Sequence, residues 1–87
     1  MPVNDGPMIG VTAHYFAVFR EQAGTTTESL TTRATTAAEL FAEVSQRHGL
    51  KDPIAHCKVA INDELASWDR TLSEGDAVLF FPPVAGG

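Results

Sequence analysis

The sequence predicts an α+β roll in which one amphipathic helix lies across one face of a sheet of four or five short strands. Strand-type alternation flanks a single helix-type stretch, in the order ββαββ. The 87 residues leave room for one core only, burying somewhat over ~60% of the unfolded surface. With 44% hydrophobic and 20% charged residues, the composition is that of an ordinary globular chain.

Residues 1–8 hold two prolines, a glycine, an asparagine and an aspartate, the composition of a disordered N-terminal tail, so the domain is expected over 9–81. From Ile9 to Phe19 the residues Ile9, Val11, Ala13, Tyr15, Ala17 and Phe19 share one parity, as in a half-buried strand. Arg20 to Gly24 is then expected to turn the chain into a threonine-rich strand over Thr25 to Thr32, forming a hairpin. Thr36-Ala37-Ala38-Glu39 matches a capping box and starts a helix at Ala37. Its face is Ala37, Leu40, Phe41, Val44 and His48, and Gly49 supplies the left-handed stop. Beyond Pro53, Lys58 to Asn62 reads as a short strand that Asn62-Asp63 turns towards Glu64-Leu65-Ala66. Leu72 to Asp76 forms a tight turn before the last strand, Ala77 to Phe81, which Pro82-Pro83 stops because proline cannot donate to a ladder.

Eleven acidic against six basic residues give a net charge of −5, which argues against a nucleic-acid partner and for a protein or small molecule. No apolar run approaches the ~20 residues of a membrane span, and the N-terminus lacks a signal-peptide pattern, so a cytoplasmic location is expected. Cys57 is the single cysteine, and His14, His48 and His56 fall on different elements without helical metal-ligand spacing, so no metal site is expected. Cys57 lies just before a strand with no base beside it and reads as structural rather than as a sulfur relay. The carboxylates of Asp63, Glu64, Asp69, Glu74 and Asp76 fall on turns, where they satisfy backbone groups, and Trp68 reads as a lid on the open end of the core.

The distinctive feature is the ending Phe80-Phe81-Pro82-Pro83-Val84-Ala85-Gly86-Gly87. Pro82-Pro83 favours extended geometry, and the six residues of 82–87 reach at most ~20 Å from the body at ~3.3 Å per residue. Gly86 and Gly87 lack Cβ atoms, so they thread a narrow channel and expose the terminal carbonyl to a nucleophile. An ionised carboxylate is a poor acyl donor and must first be activated, for example as an adenylate.

Together with Tyr15-Phe16-Ala17-Val18-Phe19-Arg20-Glu21-Gln22-Ala23-Gly24, Ile61-Asn62 and Glu74-Gly75-Asp76, this ending resembles the MoaD family over about Ile9 to Gly87. The resemblance implies a ubiquitin-like β-grasp roll with a mixed sheet, one helix on one face and a flexible Gly-Gly tail. It implies that Gly87 is adenylated by a MoeB-type enzyme using ATP, converted to a thiocarboxylate by a sulfurtransferase donor, and threaded with Val84, Ala85 and Gly86 into a MoaE-type large subunit. There sulfur would pass to cyclic pyranopterin monophosphate in a heterotetramer of two small and two large subunits, with no cofactor bound by the small subunit and the acid–base groups on the large one. Strand parity puts Phe16, Leu65 and Phe81 on the sheet face away from the helix, beside Pro82 and Pro83, as a partner-binding patch. In the family the corresponding positions contribute to the large-subunit interface. A ThiS-type carrier for thiamine thiazole or another thiolation pathway, a ubiquitin-like modifier, and a non-catalytic β-grasp interaction module are the alternatives.

Overall fold

The computed structural model describes residues 8–82; the expected N-terminal tail, apart from Met8, and the expected carrier residues 83–87 lie outside the described residues. Strand β1 (Ile9–Tyr15) is followed by a short helix α1 (Val18–Ala23), strand β2 (Thr27–Thr32) and the main helix α2 (Ala37–His48). A single 3-10 turn (Ile54–His56) then leads to β3 (Lys58–Ile61), β4 (Glu64–Ala66) and β5 (Ala77–Phe81). The five strands form one sheet in the order β2-β1-β5-β3-β4. The central pair β1 and β5 is parallel and every other pair is antiparallel. This is the mixed sheet of a β-grasp roll.

The first hairpin forms with Thr12 opposite Ser29 and Ala13 opposite Glu28, yet the stretch between its strands departs from the expected one. Strand β1 stops at Tyr15, and Val18–Ala23 winds into helix where a continued strand and a polar turn were expected. Alternation and helical spacing both place Phe19 in the core, so parity alone does not separate them. Arg20, Glu21, Gln22 and Ala23 are good helix formers. The bonds Phe19 N–H to the Phe16 carbonyl (2.9 Å) and Arg20 N–H to the Ala17 carbonyl (3.0 Å) close the first turn, and Gly24 ends the helix at φ 76°. Strand β2 accordingly begins at Thr27 rather than Thr25, whose hydroxyl donates to the Thr27 carbonyl. Asn62 leaves β3 to join Asp63 in a two-residue hairpin turn, with φ of 53° and 72°, as a type I′ geometry requires.

Helix α2 starts and stops where the sequence places it. The Thr36 hydroxyl accepts from Glu39 N–H (3.2 Å), but the Glu39 carboxylate reaches back to Thr35, accepting from its N–H (2.7 Å) and hydroxyl, rather than to the cap residue itself. Gly49 closes the end at φ 70°. Ala37, Leu40, Phe41 and Val44 bury one face against Val11, Ala13, Tyr15, Val59, Ile61, Val78 and Phe80 of the sheet. Aromatic rings fill the middle: Phe80 lies 5.3 Å from Phe41 and 6.3 Å from Tyr15, and Phe41 is 5.8 Å from Phe19. Trp68 closes the open end as expected, stacked within 9° of parallel on Phe80 and donating its indole N–H to the Cys57 carbonyl.

His48, the last position of the apolar face, serves a polar junction between α2 and β2. The Tyr15 hydroxyl donates to Glu28 Oε1 at 2.8 Å, His48 Nε2 lies 2.7 Å from the same oxygen, and Arg47 pairs with Oε2 at 3.3 Å. Burial works against the Glu28 carboxylate, but the hydrogen bonds from His48 and Tyr15 outweigh it and hold the group below its ordinary value. A carboxylate held low in the folded state contributes stability that is complete above its unfolded value of about 4.3 and disappears as pH falls through the lower folded value. Thermal melts taken from pH 7 downwards should therefore show a fall that begins near pH 4.5 and is blunted in Glu28→Gln. An unchanged acid limb in the variant would show that the junction carries no stability.

Candidate functional site

Strand β5 is central to the sheet, and its alternation divides the molecule. Val78 and Phe80 point to α2 and are fully buried, while Ala77, Leu79 and Phe81 point to the opposite face, which no helix of the described residues covers. On that face the pairings place Leu65, Ala60, Leu79, His14 and Thr27 in one row across β4, β3, β5, β1 and β2. One step nearer the end of β5, Lys58 lies opposite Phe81. Phe16 follows the last residue of β1, and its ring meets that of Phe81 edge-on, with centroids 5.1 Å apart at 70°.

The three residues expected to form the docking patch thus share a face. Phe16 and Phe81 are in contact, and Leu65 stands two strands from β5 on the sheet edge. Phe16 is 48% exposed and Leu65 75%. Such exposure is costly for large apolar side chains in a free monomer and usual for a hot spot awaiting a partner. Strand parity places Phe81 on this face as expected. Phe16, in contrast, reaches it from the turn after β1, because the strand has already ended. Leu79, Ala60 and His14 belong to the same face and were missed, although the two-residue period that located Phe81 also marks Leu79, and the one that located Phe16 also marks His14. Pro82 is partly buried immediately after β5. Pro83, Val84, Ala85, Gly86 and Gly87 lie outside the described residues.

The other reactive groups are occupied elsewhere. Cys57 is buried at the entrance to β3, and its thiol donates to the Pro53 carbonyl at 3.3 Å. Burial, with the nearby Asp52 charge adding to it, pushes that thiol up, the opposite of what a nucleophilic cysteine needs. Replacing Cys57 by serine should lower stability by about 1 kcal/mol and leave the sulfur transfer that the resemblance implies unchanged; loss of that transfer in a folded variant would make Cys57 a relay. Asp76 accepts from Asn62 Nδ2 (2.9 Å) and Ser73 N–H (2.8 Å), Glu74 accepts from Gly10 N–H (2.9 Å), and Asp69 accepts from the Ser67 hydroxyl. Glu74 and Asp76 satisfy backbone groups as the sequence suggests, whereas Asp69 bonds a side-chain hydroxyl, Asp63 makes no such bond among the described residues, and Glu64 lies in strand β4 rather than on a turn. No group of three or more His, Cys, Asp or Glu side chains suited to a metal ion occurs among the described residues. No helix of the described residues is long and apolar enough to cross a membrane.

A mixed sheet clasping one helix, with its central strand running out beside an open apolar face, defines a β-grasp domain of the ubiquitin-like class. Residues 13–87 match the model of the ThiS family. The molybdopterin synthase sulfur carrier subunit of Escherichia coli is 37% identical over 76 residues, covering 84% of this chain and 94% of that protein. A chain in the complex of subunits 1 and 2 of the molybdopterin-converting factor from Helicobacter pylori superposes with a TM-score of 0.60 at 30% identity, over 91% of this chain and 100% of that one. The crystal structure of SAMP1 from Haloferax volcanii superposes with a TM-score of 0.71 at 25% identity, over 90% and 99% of the two chains. The chain belongs to the ThiS family, and within it to the MoaD type.

Proposed function

We propose that this protein is the sulfur carrier of molybdenum cofactor biosynthesis, the small subunit of a cytoplasmic molybdopterin synthase. The observation that carries the reading is the junction at the end of β5. There the strand hands an open aromatic patch directly to Pro82 and the Gly-Gly sequence, so a partner that grips Phe16 and Phe81 is also the partner nearest the C-terminal glycines in sequence. The family match running through Gly87 supports a role for those last residues, and similarity to a chain solved in complex with subunit 2 supports a large-subunit partner.

In this reading a MoeB-type enzyme spends ATP to convert the Gly87 carboxylate to an acyl-adenylate. The terminal sulfur of a persulfide on a sulfurtransferase donor displaces AMP to give an acyl disulfide, and a thiol reductant then cleaves the S–S bond, leaving a thiocarboxylate. Adenylation is needed because a carboxylate resists attack at its carbonyl, whereas AMP is a good leaving group. Val84, Ala85, Gly86 and Gly87 then thread into the MoaE-type subunit of a heterotetramer, where two such transfers to cyclic pyranopterin monophosphate build the dithiolene. Acid–base work falls to that subunit, as the resemblance implies; in this chain Cys57 and Asp76 are held in structural hydrogen bonds. The carrier itself holds no cofactor. Intact-mass measurement after incubation with ATP, the activating enzyme and a sulfur donor should show exchange of one oxygen for sulfur. A mass that never changes would leave a binding module. A carrier whose sulfur a ThiG-type partner accepts and a MoaE-type partner refuses would belong to the thiazole pathway instead.

A further inference from the structure

One residue beside the patch has a backbone that its side chain opposes. Ala17 sits at φ 52°, ψ −124°. This is the first central position of a type II′ turn, normally taken by glycine, because an L-residue's Cβ crowds the neighbouring carbonyl there. The turn is closed by the 2.9 Å bond from Phe19 N–H to the Phe16 carbonyl, and the Ala17 carbonyl accepts from Arg20 N–H at 3.0 Å to begin α1. No side chain caps that helix start.

The consequence is a division of two nearby aromatics. Phe19 is sent into the core, fully buried and 5.8 Å from Phe41, while Phe16 is sent to the open face against Phe81. Phe19 and the β1–β5 ladder, which pairs Tyr15 with Phe80, fix the two ends of this segment. The conformation of residue 17 therefore decides where Phe16 points. Glycine would be comfortable at these angles and also at many others, so it would relieve strain and loosen the aim together. Strain of this kind, retained next to a binding surface, is a reason to look for a role in it.

We propose that Ala17 is a positioning residue, holding Phe16 edge-on to Phe81 before the large subunit arrives. The inference rests on the docking face proposed above. Pre-organisation of this kind raises affinity by removing an ordering cost from the binding step. A merely structural role predicts that stability and affinity change in the same direction; positioning predicts opposite directions.

Ala17→Gly should raise the melting temperature by about 4 °C while weakening binding to the recombinant MoaE-type large subunit about five- to tenfold, measured by calorimetry. A synthetic chain with D-alanine at position 17 adopts these angles without strain and keeps the restriction, so it should gain stability and retain full affinity. Phe81→Ala, run alongside, separates the two readings. If its affinity is also unchanged, the docking face is wrong. If Phe81→Ala weakens binding while Ala17→Gly binds as tightly as the parent, or if the D-alanine chain loses affinity as glycine does, the positioning role is overturned.

Discussion

Removing Gly87 should abolish thiocarboxylate formation and leave the fold untouched. Truncation withdraws the reacting carbonyl by about 3.3 Å, and appending one residue displaces it by as much. A misplacement of about 1 Å already costs roughly 100-fold in a reaction that depends on near-attack geometry, so either change should lower transfer by more than that, to below detection in a reconstituted assay. The last buried member of the core among the described residues is Phe80, and Phe81 is only partly buried. Melting curves of the two variants should overlay the parent. Molybdopterin formation by the truncated protein would refute the carrier reading, whereas loss of both folding and transfer would show that the tail packs on the domain.

The sequence expresses this fold well where one element imposes one period. Helix α2 has both of its ends and its buried face written in the chain, because Thr36, Glu39 and Gly49 each act locally and Ala37, Leu40, Phe41 and Val44 recur at helical spacing. Strand β5 is equally legible from its alternation and from the proline after it. The stretch 16–24 was not. Ala17 and Phe19 keep step with the strand by parity, and nothing in an alanine announces a positive φ; the departure becomes visible only when the surrounding core demands Phe19 from a turn. The polar junction of Tyr15, Glu28, Arg47 and His48 joins residues from three elements and has no local spacing to betray it. Period-two parity places Phe81 on the open face and implies Leu79 there, whereas the ring contact between Phe16 and Phe81 depends on the parallel pairing of β1 with β5, which links chain segments far apart in sequence.

That parallel pairing sets up the sharpest contrast in the molecule, two consecutive phenylalanines with opposite duties. Phe80 is wholly buried among Tyr15, Phe41 and Trp68, so Phe80→Ala should cost about 3–5 kcal/mol and threaten the fold. Phe81 points the other way. Its ring touches Phe16, itself about half exposed at 48%, and its backbone partner is Lys58 at the exposed start of β3. Truncating it removes an anchor from the face nearest the tail while opening no cavity beneath α2. Phe81→Ala should therefore weaken binding to the MoaE-type large subunit by about 2 kcal/mol or more, roughly a 30-fold rise in Kd, with a much smaller change in melting temperature. Leu65→Ala, at the far edge of the same face, tests its extent: a measurable loss of affinity there carries the interface across β3 to β4, while no loss confines it to the β1–β5 end. If calorimetry instead finds Phe81→Ala binding normally but melting far earlier, the ring serves the core and the partner docks elsewhere.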